Sequence, residues 1–207
     1  MLNDAGFDRW ADEYERSVRD TEAADSYPFA GYSRVLKAVC AAIPAVEKPV
    51  ILDLGFGTGA LTAQLYERGC EIWGQDFSLR MLALSQQRMP EARLFCGDFA
   101  RGLAAPLLER RYDAILSTYA LHHLTDEGKI ALLRTLQGLL RPGGRILIGD
   151  VAFLDLAALD RCRTASGDLW DEEEHYFVYD ALRPALPGLT FTPLSPCAGL
   201  LTLAGKE

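Results

Sequence analysis

A chain of 207 residues with 49% apolar and 24% charged residues can bury one full-sized core and reads as a single globular α/β-sized domain. The formal net charge is -8, and the lysines are Lys37, Lys48, Lys129 and Lys206, so no basic stripe for phosphates is present and nucleic acid is excluded as the expected partner. No apolar run is long enough to span a bilayer, and Met1–Asp4 lacks the basic-then-apolar pattern of a secretory leader, so a cytoplasmic protein off the membrane is expected.

The spacing of Phe7, Trp10, Tyr14 and Val18 predicts an amphipathic helix over 7–20. A polar stretch, Asp20–Ser26, separates it from a second predicted helix over 31–43, whose inward residues are Val35, Leu36, Val39 and Cys40. Pro44 and Pro49 bracket the break that follows, so residues 1–48 read as an N-terminal helical cap on the main sheet.

From residue 49 to 150 strands and helices alternate. Strands are predicted near 50–54, 70–75, 92–96, 112–117 and 144–149. Helices are predicted near 59–68, 78–88, 103–109 and 126–140. This order implies a doubly wound, mostly parallel sheet that binds its ligand at the carboxyl ends of the strands. Beyond Asp150, helices are expected over 153–163 and 171–186, the latter ended by Pro187-Gly188. The apolar runs 189–194 and 199–204 predict a closing antiparallel hairpin, giving seven strands in all. Residues 151–207 therefore hold the acceptor-side helices and terminal strands. Cys40, Cys70, Cys96, Cys162 and Cys197 are scattered and form no CxxC, so they read as reduced and mostly as small core hydrophobes.

The most informative run is Val50-Ile51-Leu52-Asp53-Leu54-Gly55-Phe56-Gly57-Thr58-Gly59. An apolar strand enters a glycine-rich turn, and Thr58 can cap the next helix. Gly55, Gly57 and Gly59 let backbone approach a ligand of nucleotide size. The run also satisfies the relaxed dinucleotide fingerprint, so by itself it fits NAD as well. Asp76 follows Gly55 by 21 residues at the end of the second strand, where a carboxylate accepts from two ribose hydroxyls of either cofactor. Ser78 competes as the cap of the following helix. Asp98, after the third strand, can accept from an adenine amino group while Phe99 borders the ring. Asp53, just before the glycine turn, can accept from glycine-loop amides or position a ligand ammonium through water, and would be costly to bury without such partners.

Together these motifs resemble those of class I S-adenosylmethionine-dependent methyltransferases. The resemblance rests on LDLGFGTG at 52–59, Asp76 in GQDFS, Gly97-Asp98-Phe99, the Ser117–Leu124 block STYALHHL, and Leu140-Arg141-Pro142-Gly143-Gly144. The opening Phe7-x-x-Trp10-Ala11-x-x-Tyr14 and the stretch Phe29-x-Gly31-Tyr32 are closer still to a bacterial subfamily of small-molecule methyltransferases. The resemblance implies a seven-stranded doubly wound sheet with one antiparallel strand, S-adenosylmethionine as cofactor, and cofactor contacts at Gly55, Asp76 and Asp98. Some subfamily members are encoded near enzymes that convert methionine to cysteine, which hints at a sulfur-metabolite acceptor.

Such an enzyme aligns an acceptor with the methyl group and excludes water, because the sulfonium is already a good leaving group. Tyr119, His122 and His123 follow the fourth strand, beside the expected methyl group. Either histidine can act as a base, or shape the loop, and Tyr119 packs against cofactor or acceptor. Asp150, ending the fifth strand, can orient an amine or hydroxyl, or cap the next turn. Tyr14, with Tyr27 and Tyr32, can close the pocket over the methionine moiety. The run Asp171–Glu174 can attract a cationic amine or simply solvate a helix start, and His175 and Tyr176 can line the pocket. No metal is expected, since the three histidines lack zinc-ligand spacing. The expected acceptor is a small molecule, a sulfur or amine metabolite, and the protein a monomer or homodimer. The competing functions are an NAD-dependent oxidoreductase, which would need a Tyr-x-x-x-Lys arrangement or a substrate domain, and a non-catalytic S-adenosylmethionine-binding protein.

Overall fold

In the computed structural model, residues 18, 21–22 and 26–205 are described. Of the helix expected over 7–20, Val18 is helical and buried, whereas Tyr14 lies outside the described residues. The elements that follow are α1 (Tyr32–Ala42), β1 (Val50–Leu54), α2 (Thr62–Glu67), β2 (Glu71–Asp76), α3 (Leu79–Arg88), β3 (Arg93–Cys96), α4 (Ala105–Leu108) and β4 (Tyr112–Thr118). A 3-10 turn (Leu121–His123) leads into α5 (Asp126–Gln137), β5 (Leu140–Phe153) and α6 (Leu156–Ser166), and a second 3-10 turn (Gly167–Leu169) precedes β6 (Phe177–Val178), α7 (Tyr179–Leu182), β7 (Leu189–Pro193) and β8 (Ala198–Ala204).

Seven strands run in the order β3-β2-β1-β4-β5-β8-β7, and the two-residue β6 pairs with the far end of β5. β1 lies parallel to both β2 and β4, and β8 is antiparallel to both β5 and β7. The chain steps outward from β1 to β3, then returns to place β4 on the other side of β1. This reversal opens a crevice beyond the carboxyl ends of β1 and β4, where doubly wound sheets bind ligands.

The strands alternate between two cores. Leu52, Leu54, Ile115, Ile146 and Ile148 face a layer containing Leu132, Leu133 and Leu136 of α5. Ile51, Ala114, Leu116 and Leu147 face Val35 and Val39 of α1 and Leu65 of α2. All five residues of β1 are buried, as expected of a central parallel strand covered on both sides. Gly149 lets α1 approach the sheet, because a Cβ there would lie 2.4 Å from Val35 Cγ1. Three helix starts are fixed by side chains: Ser78 Oγ accepts from Met81 N, Thr125 Oγ1 from Gly128 N, and Asp155 from Ala158 N.

Several sequence expectations are corrected. Thr58 does not cap α2. Gly57 and Gly59 take positive φ and prolong the turn, so the helix starts at Thr62 behind Leu61, which makes no side-chain cap. The helix expected over 171–186 is replaced by a loop, β6 and the four-residue α7, because Phe177 and Val178 pair with Ala152 and Phe153 of a longer β5. Pairing with β5 satisfies their backbone groups in place of helical bonds. Of the five cysteines, Cys197 is buried, Cys96 is exposed, and the other three are half-buried. No helix among the described residues is long and apolar enough to cross a membrane.

Candidate active site

A cavity of about 320 Å³ occupies the crevice at the carboxyl ends of β1 and β4. One wall is the glycine turn from Gly55 to Leu61, continued by Asp76–Ser78 and Phe99. Gly55 has φ +73, and a Cβ there would lie 2.4 Å from Ala120 Cβ. The first turn glycine is therefore required both by its left-handed backbone and by the loop after β4. Asp76 is buried at the end of β2, where its Oδ2 accepts from Gly57 N at 2.9 Å and its Oδ1 from Ser78 N at 2.9 Å. This carboxylate both holds the glycine turn and faces the cavity. Gly57 also lines the cavity, whereas Gly59 and Asp53 sit behind its wall.

Asp53 does not accept from the glycine-loop amides, one of the two roles its position suggested. The amide of Gly57 is taken by Asp76, and Asp53 Oδ2 accepts instead from the Thr62 hydroxyl. Asp53 Oδ1 is buried without a hydrogen-bond partner. Burial pushes the Asp53 carboxyl up to about 7, reinforced by nearby Asp76 and opposed by the Thr62 hydroxyl. For an acid raised in the folded state, stability is present while the group stays protonated and is lost as pH rises from the unfolded value near 4 to the folded value. The wild-type free energy of unfolding should fall by about 1.4 kcal/mol per pH unit across that window from this group alone. Asp53→Asn is expected to remove this component, so urea denaturation at pH 5 and pH 8 should show a smaller difference in the variant than in the wild type.

Asp98 stands apart from the cavity wall. Its Oδ1 accepts from Ala100 N at 2.8 Å and its Oδ2 lies 3.3 Å from Arg101 Nε, while the neighbouring Phe99 is buried against the cavity.

The opposite wall is built from the loop after β4, the segment before α1 and the loop before β6. Tyr119 lines it with φ +50, a conformation that is strained for an aromatic residue. Its ring packs 5.1 Å from Phe29 and 5.2 Å from Tyr32. Its hydroxyl is buried without a hydrogen-bond partner, and burial, with Asp150 nearby, pushes its pKa well above the ordinary phenol range.

His122 and His123 both line the cavity, and Glu174 joins them. His122 Nδ1 lies 2.6 Å from Asp150 Oδ1, leaving Nε2 turned toward Glu174 Oε2 at 3.8 Å. His123 Nδ1 lies 2.9 Å from the same Oε2. Asp150 is fully buried behind His122 and also accepts from Leu121 N and Val151 N, so it is placed to orient the imidazole. Burial pulls the His122 pKa down, but the charge and hydrogen bond of Asp150 and the charge of Glu174 outweigh it, and the net shift is upward. The same pairing works on Glu174: burial pushes its carboxyl up, and the hydrogen bond from His123 and the charges of both histidines bring it below the usual range.

Lys129 was not singled out in the sequence beyond its being a lysine, yet it secures this wall. It is 0% exposed, and its Nζ donates to Asp126 Oδ1 at 2.9 Å and to the His175 carbonyl, holding the loop that carries Glu174. Its position three residues after Asp126, which opens α5, was the only available signal. Tyr27 and Tyr176, from opposite ends of the chain, meet through their hydroxyls and line the cavity, whereas His175 turns its backbone to Lys129 and His122. His122, His123 and Glu174 also bring three potential metal-ligand atoms within 4.8 Å of one another, a grouping not visible in sequence spacing.

Comparison with known proteins agrees with this architecture. Residues 51–144 match the family described as "Methyltransferase domain". An uncharacterized methyltransferase of Geobacillus kaustophilus is 38% identical over 184 residues, covering 85% of this chain and 82% of the relative. One of Oceanobacillus iheyensis is 31% identical over 194 residues, covering 89% and 87%. A solved structure described as the DhpI–SAH complex superposes with a TM-score of 0.71 at 16% identity, over 99% of this chain and 96% of that one, and shows the shared fold. The glycine turn thus sits in the framework of methyl transfer, not of hydride transfer, and the chain belongs to the class I S-adenosylmethionine-dependent methyltransferases.

Proposed function

We propose that this enzyme transfers the methyl group of S-adenosylmethionine to a nitrogen, oxygen or sulfur nucleophile of a small molecule, and that the acceptor is a sulfur or amine metabolite. The observation that carries this reading is the cavity that brings the glycine turn at Gly55 and Gly57 and the Asp76 carboxylate together with His122, His123 and Glu174. Residues 49–150 carry the cofactor, 1–48 cap it, and 151–207 supply the acceptor side. The enzyme works in the cytoplasm as a monomer or homodimer.

On this reading Asp76 receives the ribose hydroxyls, Gly55 and Gly57 let the methionine moiety approach the backbone, and Phe99 borders the adenine. Asp98 approaches the adenine amino group from beyond Phe99, and Gly59 and Asp53 support the turn from behind. Tyr14 closes over the methionine end. Tyr119 contacts the bound ligands with its hydroxyl. His122 takes the acceptor proton at Nε2, Asp150 fixes its tautomer at Nδ1, and His123 holds Glu174 in place. S-adenosylmethionine supplies the methyl group and the sulfonium leaving group. The protein aligns the nucleophile with the methyl–sulfur bond and keeps water out. DhpI has been solved in a complex described as containing SAM and HEP, which supports a ternary arrangement on this fold.

Calorimetric titration with S-adenosylmethionine, S-adenosylhomocysteine and NAD tests the cofactor. Saturable binding of both sulfur compounds without NAD binding is expected. Binding of NAD alone would overturn the proposal.

A further inference from the structure

The charge pattern of the acceptor wall narrows the acceptor further. Asp171 and Glu174 line it, Asp150 lies directly behind it, and no Lys or Arg lines the cavity among the described residues. The nearest lysine, Lys129, is buried with its ammonium committed to Asp126 and the His175 carbonyl. An acceptor bearing a carboxylate or phosphate, or arriving as a thiolate, would lose its hydration beside carboxylates with no Lys or Arg to replace it, since His122 and His123 are already paired with Asp150 and Glu174. A cation meets the opposite situation. The rings of Tyr27 and Tyr176 stand edge to face with centroids 5.8 Å apart on this wall, and Trp170 packs against both, at 5.1 Å and 4.8 Å. Aromatic faces beside carboxylates favour alkylammonium groups.

A second observation points the same way without depending on the acids. Tyr119 is more than nine-tenths buried and lines the cavity, and its hydroxyl has no hydrogen-bond partner. A buried hydroxyl held open in this way is completed by a ligand polar group, and an amine N–H can donate to its oxygen.

Resting on the methyltransferase reading above, we propose that the acceptor is a primary or secondary amine, bound as its ammonium by Glu174, Asp171 and the Tyr27–Tyr176 pair. The ammonium gives one proton to neutral His122 Nε2, freeing a nitrogen lone pair. That lone pair forms the new N–CH3 bond while the methyl–sulfur bond breaks, its electron pair staying on sulfur to give the thioether. The methylated ammonium leaves and His122 returns its proton to solvent.

The test uses the full chain and four matched probes: phenethylamine, 2-phenylethanethiol, 2-phenylethanol and 3-phenylpropionate. Binding to the protein–S-adenosylhomocysteine complex is read by calorimetry, and methyl transfer by mass spectrometry of the product. Phenethylamine is expected to bind at least tenfold tighter than the other three and to be N-methylated. Glu174→Gln and Asp171→Asn are each expected to weaken amine binding about tenfold while leaving S-adenosylmethionine affinity unchanged. Preference for the thiol, alcohol or carboxylate probe, or no amine binding by a protein that binds S-adenosylmethionine, overturns the amine assignment and leaves methyl transfer intact. Tight Zn²⁺ binding lost in Glu174→Gln would also overturn it, by making the histidine–glutamate group a metal site. Failure to bind S-adenosylmethionine at all would instead remove the underlying reading.

Discussion

Asp76→Ala is expected to weaken S-adenosylmethionine binding by about 100-fold or more while the protein remains folded. The carboxylate is buried at the end of β2 and faces the cavity, so the two ribose hydroxyls would donate to a charged acceptor already removed from bulk water. Hydrogen bonds to charged groups contribute about 1.5–3 kcal/mol each, and losing two corresponds to at least two orders of magnitude in affinity. The variant also releases the amide of Gly57, which Asp76 holds at 2.9 Å, so the glycine turn loses its anchor to β2. Asp76→Asn separates the two effects. It keeps one carbonyl oxygen for the turn or the ribose but removes the charge, and should fall between wild type and alanine. Calorimetry, with thermal melting to confirm folding, measures all three. Unchanged affinity in folded Asp76→Ala would rule out the ribose contact.

The second large effect is expected at His122. His122→Ala should lower kcat by about 10²–10⁴-fold, the range for loss of a positioned general base, with cofactor affinity unchanged. A base acts only when neutral, and the His122 pKa is held above its ordinary value, so the acidic limb of the kcat profile should lie above about 6.5. Activity should rise with pH through that limb. The charged and titratable groups around the ring are Asp150 on β5, Glu174 on the loop before β6, Lys129 on α5 and adjacent His123, with Tyr176 packed 6.2 Å away. Asp150 supplies the larger upward pull, and Lys129 opposes it. Asp150→Asn should therefore move the acidic limb down by about 1–2 pH units, as expected when an opposite charge beside a titrating group is removed. Its maximal kcat should fall as well, because the asparagine no longer enforces one tautomer. An Asp150 that only stabilised the fold would lower activity without moving the limb, so the pH profile distinguishes the two roles.

The sequence by itself determined the doubly wound sheet and the glycine turn that follows its first strand. Val50–Leu54, Tyr112–Thr118 and the terminal hairpin were legible because buried strands are short, mainly apolar runs, and Gly55, Gly188 and Pro196 punctuate the first and the last of them. Gly55 and Asp76 were legible because a turn glycine and an acid at a strand end are local features with one structural use. Tertiary structure alone decided what those residues touch. Asp53 accepts from Thr62, nine residues on, because α2 starts later than local capping suggests. Asp150 turns to His122 across 28 residues, so a residue with two local readings becomes the orienting group behind an imidazole. The loop at 170–176 is the clearest case. Its acids and aromatics read locally as a helix start, but pairing of Phe177–Val178 with β5 and the grip of Lys129 on His175 keep it extended. Contacts separated by dozens of residues leave no period or spacing in the chain, and that is where Glu174, Tyr27 and Tyr176 were assembled into one wall.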